Sequence, residues 1–100
     1  MRLRNKDIEA IKKVAKLVFG ENSTIKIFGS RTDDQMRGGD IDLLIRCDSY
    51  LSRADQYQRK INFLVQLKKI IGDQKIDVII DSGQPYNPVF QDAYKKGVQL

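Results

Sequence analysis

The sequence predicts an α+β fold in which a small mixed β-sheet is flanked by helices on one face. The elements read in order as helix 6–19, strands 24–28 and 40–46, helix 52–71, strand 75–80 and helix 89–96. The long middle helix is a plausible crossover, which would place the second and third strands in one sheet. At 100 residues, the chain is expected to form a single domain over 1–100.

The middle helix is predicted from apolar residues that recur at helical spacing between two end signals. Ser49 or Ser52 can cap its N-terminus, and Gly72 stands where a C-terminal cap is expected. Its apolar side is predicted to comprise Ala54, Tyr57, Ile61, Leu64 and Ile71, reinforced by Phe63, Val65, Leu67 and Ile70.

The two later strands differ in pattern. In 40–46, side-chain alternation sends Ile41, Leu43 and Ile45 to one face and Asp40, Asp42, Leu44 and Arg46 to the other. This mixed second face indicates a sheet that is packed on one side and partly open on the other. Strand 75–80 is nearly continuous in apolar residues, which is typical of a central buried strand.

The composition excludes several kinds of site. The sequence has no histidine, so Ser-His-Asp and Cys-His catalysis and histidine-bound zinc are excluded. Its single cysteine, Cys47, excludes an internal disulfide, and no stretch is apolar enough for a membrane span, so we expect a cytoplasmic protein. The net charge of +5 favours anionic partners such as nucleotides or nucleic acid, although a solvated basic surface is the commoner explanation.

Three aspartates interrupt strands that are otherwise strongly apolar. They are Asp40 and Asp42 in the second strand and Asp77 in the third. A buried charge is costly unless it is paired or binds a metal, and carboxylate oxygens are ligands that suit Mg²⁺. Pairing with a nearby lysine or arginine is the alternative for a lone D-x-D. With the third aspartate added, a divalent-cation site is favoured over pairing with a basic residue.

A short polar turn follows the first strand. Gly29 lets the backbone approach a phosphate closely, Ser30 adds a hydroxyl donor, and Arg31 can reach the same phosphates. A plain Gly-Ser turn is the commoner explanation for this dipeptide alone, and no Walker A motif is present. The dipeptide becomes a specific signal for a binding site when it is followed, after nine residues, by the D-x-D motif.

With Gly29-Ser30, Asp40-Ile41-Asp42 and Asp77 in this order, the chain resembles the DNA polymerase β-like nucleotidyltransferase superfamily. The segments FGSR, GGDIDLLI and KIDVII are most similar to the minimal nucleotidyltransferases of bacteria and archaea that pair with HEPN-domain proteins. The resemblance covers nearly the whole chain. It implies the polymerase β-like fold, with the order α-β-β-α-β-α.

The resemblance also implies a role for each motif residue. Gly29 and Ser30 would hold the terminal phosphates of ATP, and Arg31 would neutralise charge on the leaving pyrophosphate. Asp40 and Asp42 would bind two Mg²⁺ ions. Asp77 would share the metal near the attacking hydroxyl and help to deprotonate it.

The activity implied is transfer of AMP from ATP to a tyrosine hydroxyl of a HEPN-domain helical toxin encoded nearby. The chain would then be the antitoxin of a toxin-antitoxin pair and form a hetero-oligomer with its partner, away from membranes. The segment Thr32-Asp33-Asp34 departs from the family pattern. It favours the alternative of a non-catalytic module that keeps the fold and docks a partner, a nucleotide or nucleic acid.

Overall fold

The computed structural model describes residues 5–28, 40–47, 49–72, 74–83, 91, 94–95 and 97–100, with the backbone alone for Asp40. The elements in these ranges are α1 (Asn5–Phe19), β1 (Thr24–Phe28), β2 (Asp40–Arg46), α2 (Arg53–Ile71), β3 (Lys75–Asp81) and β4 (Val98–Gln99). The predicted α+β class is confirmed. Within the described ranges, no helix has the length and apolar character needed to cross a membrane.

The four strands form one mixed sheet in the order β3-β2-β1-β4. β1 is antiparallel to both β2 and β4, whereas β2 and β3 are parallel, as the predicted crossover through α2 requires. The prediction of a central position for β3 is wrong, because β3 lies at the edge of the sheet that the described strands form. Its apolar run reflects apolar residues on both of its faces: Val78 and Ile80 are buried against the helices, and Ile79 is half-buried on the other face.

Alternating residues of β1, β2 and β3 form the face that packs against the helices. Ile27, Leu43 and Val78 lie in one row across these strands, with Ile25, Ile45 and Ile80 in the next. These residues share one core cluster with the buried side chains of both helices. The opposite side of the sheet, called the second face below, comprises Thr24, Lys26, Phe28, Asp42, Leu44, Arg46, Lys75, Asp77, Ile79 and Asp81.

α2 buries much less of its apolar surface than its spacing predicts. In the core, Phe63 and Leu67 are fully buried, and the Phe63 ring lies 5.7 Å from that of Phe19 on α1. The prediction is wrong for five other members, which are exposed: Ala54, Tyr57, Ile61, Val65 and Ile70. The reason is that a helix packed beside α1 on a sheet offers only a narrow stripe to the core, and apolar residues occupy most of the circumference of α2.

The start of α2 is fixed by two serines. Ser52 is the N-cap, and its side chain accepts a hydrogen bond from the Asp55 amide. The buried hydroxyl of Ser82, just after β3, accepts hydrogen bonds from the Leu51 amide and from Nε2 of Gln56, each at 3.2 Å. These hydrogen bonds connect the beginning of α2 to the end of β3.

The C-terminal segment differs from the prediction. Of the helix predicted over 89–96, Gln91, Tyr94 and Lys95 have helical backbone, and the other positions lie outside the described residues. The sequence did not predict β4, a two-residue strand that pairs with β1. The amide of Leu100 extends this pairing by donating a hydrogen bond to the Ile25 carbonyl at 3.0 Å.

Candidate active site

The structure places Asp42 and Asp77 side by side. They are register partners in the parallel pair of β2 and β3, and neighbouring strands lie about 4.8 Å apart. Leu43 and Val78, the residues that follow them, are buried in the core. Because side chains alternate along a strand, both carboxylates project from the second face.

The acidic pair, Asp42 and Asp77, combines one half-buried and one exposed side chain. Asp42 is half-buried between Phe28 of β1 and Asp77 of β3, which are its register partners on either side. Asp77 is exposed on the edge strand. Like charges directly opposite one another destabilise a sheet, and a cation held between them removes that repulsion. Two carboxylates in this arrangement therefore suit a divalent cation that is open to solvent and substrate on one side.

Asp40 begins β2 and is the register partner of Lys75. It lies two residues before Asp42, so the two backbones are about 6.5–7 Å apart along the strand. Its side chain lies outside the described part of the structure. Among the side chains that are described, no three histidine, cysteine or acidic residues form a group able to hold a metal ion.

The predicted phosphate-binding residues Gly29, Ser30 and Arg31 lie outside the described residues. The last described residue before them is Phe28, the register partner of Asp42. The chain therefore leaves β1 at a residue directly beside the acidic pair.

Sequence reasoning missed a cluster around Tyr94 on the second face. The Tyr94 hydroxyl donates a hydrogen bond of 2.5 Å to Oδ2 of Asp81, at the end of β3. Nζ of Lys26 donates to the Tyr94 carbonyl oxygen at 2.9 Å and lies 5.5 Å from the centre of the ring. Lys26 thus contacts the C-terminal segment. No periodicity signals a contact between residues so far apart in sequence.

We expect Tyr94→Phe to lower the free energy of unfolding by about 1–2 kcal/mol near neutral pH, because it removes a hydrogen bond to a charged group. Burial, followed by the hydrogen bond to Asp81 and the charge of Asp81, raises the pKa of Tyr94 from 10.0 to about 12. A raised pKa in the folded state means that this stabilisation is complete below pH 10 and is lost as the pH rises towards 12. Urea denaturation of both proteins from pH 8 to 12 measures it.

The matched control is Tyr50→Phe, since the Tyr50 side chain is 71% exposed. It should leave the unfolding free energy within about 0.5 kcal/mol of the wild type at every pH. A difference between wild type and Tyr94→Phe that stays constant across the alkaline range would show that the hydroxyl proton does not contribute in this way.

A cavity of about 600 Å³ lies at the opposite end of the strands from the acidic pair. Its lining includes Arg46 and Asp81, at the carboxyl ends of β2 and β3, and Thr24 at the start of β1. Arg46 follows Asp42 by four residues, or about 13 Å along a strand. The row of Leu44 and Ile79 lies between the cavity and the carboxylates, so the two features are separate.

No protein-family model matches the chain, and no curated protein matches it either.

Proposed function

We propose that the protein is a Mg²⁺-dependent nucleotidyltransferase with the polymerase β-like fold, which transfers AMP from ATP to a tyrosine hydroxyl of a partner protein. The partner would be a HEPN-domain helical toxin encoded nearby, silenced by the modification in a cytoplasmic toxin-antitoxin pair. The observation that carries the proposal is the parallel register of Asp42 with Asp77 on the second face.

The acidic residues fit a metal-assisted transfer. Asp40 and Asp42 are two positions apart on β2, and Asp77 is the register partner of Asp42 on the neighbouring strand. Their oxygens are ligands that Mg²⁺ prefers, and this metal retains coordination positions for phosphate and water. Bound Mg²⁺ would supply electrostatic stabilisation of the attacking and leaving oxygens.

The chain's own groups account for the proton and the phosphates. The acceptor hydroxyl oxygen bonds to the α-phosphorus of ATP, the bond from that phosphorus to the α-β bridging oxygen breaks, and pyrophosphate leaves. The proton of the hydroxyl passes to the carboxylate of Asp77, which acts as general base. Gly29 and Ser30 would bind the terminal phosphates, and Arg31 would balance the charge of pyrophosphate.

The test is to incubate the purified chain and Mg²⁺ with ATP labelled on the α-phosphate, together with the HEPN-domain protein encoded beside it. We expect the label to appear on a tyrosine of that protein, and no label when ATP carries it on the γ-phosphate. Chelation of Mg²⁺ should abolish incorporation. Absence of label on the partner in the presence of Mg²⁺ would contradict the proposal.

A second candidate is a non-catalytic module that docks a partner or binds nucleotide or nucleic acid. Asp33 and Asp34 favour it, because two acidic residues close to Ser30 in sequence repel a triphosphate. Thermal denaturation separates the candidates: an enzyme should be stabilised by ATP only when Mg²⁺ is present. A stable complex with the partner, without any ATP-dependent shift, would favour docking. Binding to nucleic acid should weaken steeply with salt.

A further inference from the structure

One side of α2 carries large apolar side chains that the rest of the described chain leaves exposed. Tyr57, Ile61 and Val65 are 64%, 41% and 50% exposed. They follow one another at intervals of four residues, so they form a continuous stripe along more than two turns of the helix. Leu64, half-buried beside them, joins the stripe to the core.

At one end of the stripe, Tyr57 lines a cavity of about 330 Å³ between α2 and β3. Its lining includes Val78 and Ile80 of β3 and the Tyr57 ring. β3 is the edge of the sheet, so no described strand covers the cavity from outside. The cavity and the stripe together are called the α2–β3 groove, which comprises Tyr57, Ile61, Leu64, Val65, Val78 and Ile80.

The charged residues of α2 around this groove are all basic. Arg53 and Lys60 line the cavity, and Lys68 lies one turn beyond Leu64 on the same side of the helix. The helix has one acidic residue, Asp55. Asp55 lines a different cavity, between α2 and α1, together with Leu17 and Val18. On its α2 side, the α2–β3 groove is therefore an apolar surface bordered by basic residues.

We propose that the α2–β3 groove binds an acidic amphipathic helix of a partner protein. Apolar side chains of that helix, at the spacing of its turns, would cover the stripe and fill the cavity beside Val78 and Ile80. Its glutamate and aspartate residues would face Arg53, Lys60 and Lys68. A second copy of this chain fits less well, because a two-fold contact would bring the same basic residues together. Binding of a helix at this groove does not require nucleotidyl transfer.

The test measures fluorescence anisotropy with two labelled helical peptides. Both have leucine at helical spacing; the remaining positions are glutamate in one peptide and lysine in the other. The glutamate peptide should bind more tightly than the lysine peptide, and added salt should reduce the difference. Ile61→Asp and Val65→Asp should each weaken glutamate-peptide binding at least tenfold. Lys60→Glu should weaken it as well and shift the preference towards the lysine peptide.

The matched control is Leu17→Asp, which places the same charge on the exposed surface of α1, where Leu17 is 77% exposed. Its affinity for the glutamate peptide should equal that of the wild type. Circular dichroism establishes that each variant keeps its helices, so lost binding is not lost folding. Equal affinity for both peptides, or unchanged binding by Ile61→Asp, would overturn the proposal. Self-association that Ile61→Asp disperses, without peptide binding, would overturn it in favour of a second copy.

Discussion

Replacing Asp42 with asparagine should reduce AMP transfer at least ~10²-fold, the lower end of what a positioned catalytic group contributes. The amide keeps the shape of the side chain but removes the charge that would hold Mg²⁺ beside Asp77. Asp42 is in β2, where its backbone pairs with both β1 and β3, so the substitution leaves the ladder unchanged. Incorporation of α-labelled phosphate into the partner, with circular dichroism on the same preparation, measures activity and folding together.

The matched control for this experiment is Asp55→Asn, the same chemical change on an exposed residue at the start of α2. Its transfer rate should equal that of the wild type. Asp77→Asn should match Asp42→Asn in the size of its effect, since the two residues occupy one row of the sheet. Full activity in Asp42→Asn with the fold intact would show that the acidic pair does not hold a catalytic metal.

The largest effect on stability is expected from Phe63→Ala, at about 3–5 kcal/mol. Phe63 is fully buried, and its ring packs against that of Phe19 at the junction of α1, α2 and the sheet. Truncation removes this contact and leaves a cavity that the neighbouring side chains cannot fill. Urea denaturation should show a lower midpoint, and an unchanged slope would show that the surface exposed on unfolding is the same.

Val65→Ala is the control for this substitution, because Val65 lies on the same helix and is 50% exposed. Its unfolding free energy should stay within about 0.5 kcal/mol of the wild type. A loss of comparable size in both variants would mean that the Val65 side of α2 is buried in solution. That result would also mean that the α2–β3 groove is covered in solution.

The strands and their faces could be predicted from the sequence because β structure has a short, strict period. Alternation in 40–46 separates Ile41, Leu43 and Ile45, which are buried in the core, from Asp42, Leu44 and Arg46. On this second face Arg46 is exposed and Asp42 half-buried as predicted, whereas Leu44 is buried. The proximity of Asp42 and Asp77 was predicted only through the crossover. Their pairing depends on the register between β2 and β3, two strands separated in the sequence by the whole of α2, and the pattern within either strand does not give that register.

The buried side of α2 could not be predicted because its apolar residues surround most of the helix. Phe63 and Leu67 face the core, whereas Tyr57 and Ile61 have the same chemical character and are exposed. The choice between them depends on where α1 lies. Arg59 Nη1 donates to the Val18 carbonyl at 2.6 Å, and the Phe63 ring packs against that of Phe19, so both residues lie on the side of α2 that faces α1. Such a contact is visible only in three dimensions.

The contact between Tyr94 and Asp81 has a similar explanation. Both residues occur in segments without a clear period, and their hydrogen bond depends on the C-terminal segment reaching the second face. For the candidate site, the positions of Gly29, Ser30 and Arg31 relative to the acids are predictions from the sequence alone, because these residues lie outside the described ranges.

The parallel pairing of β2 with β3 also determines when the acidic pair can form during folding. β1 and β2 lie close together in the sequence, whereas Asp42 and Asp77 are 35 positions apart and are connected through α2. Closing the longer loop costs more chain entropy, and this entropy is lost before the contacts between the strands can stabilise the chain. During synthesis, a ribosome-bound chain that lacks β3 has Asp42 without its neighbour. The acidic pair can therefore form only after β3 has been translated.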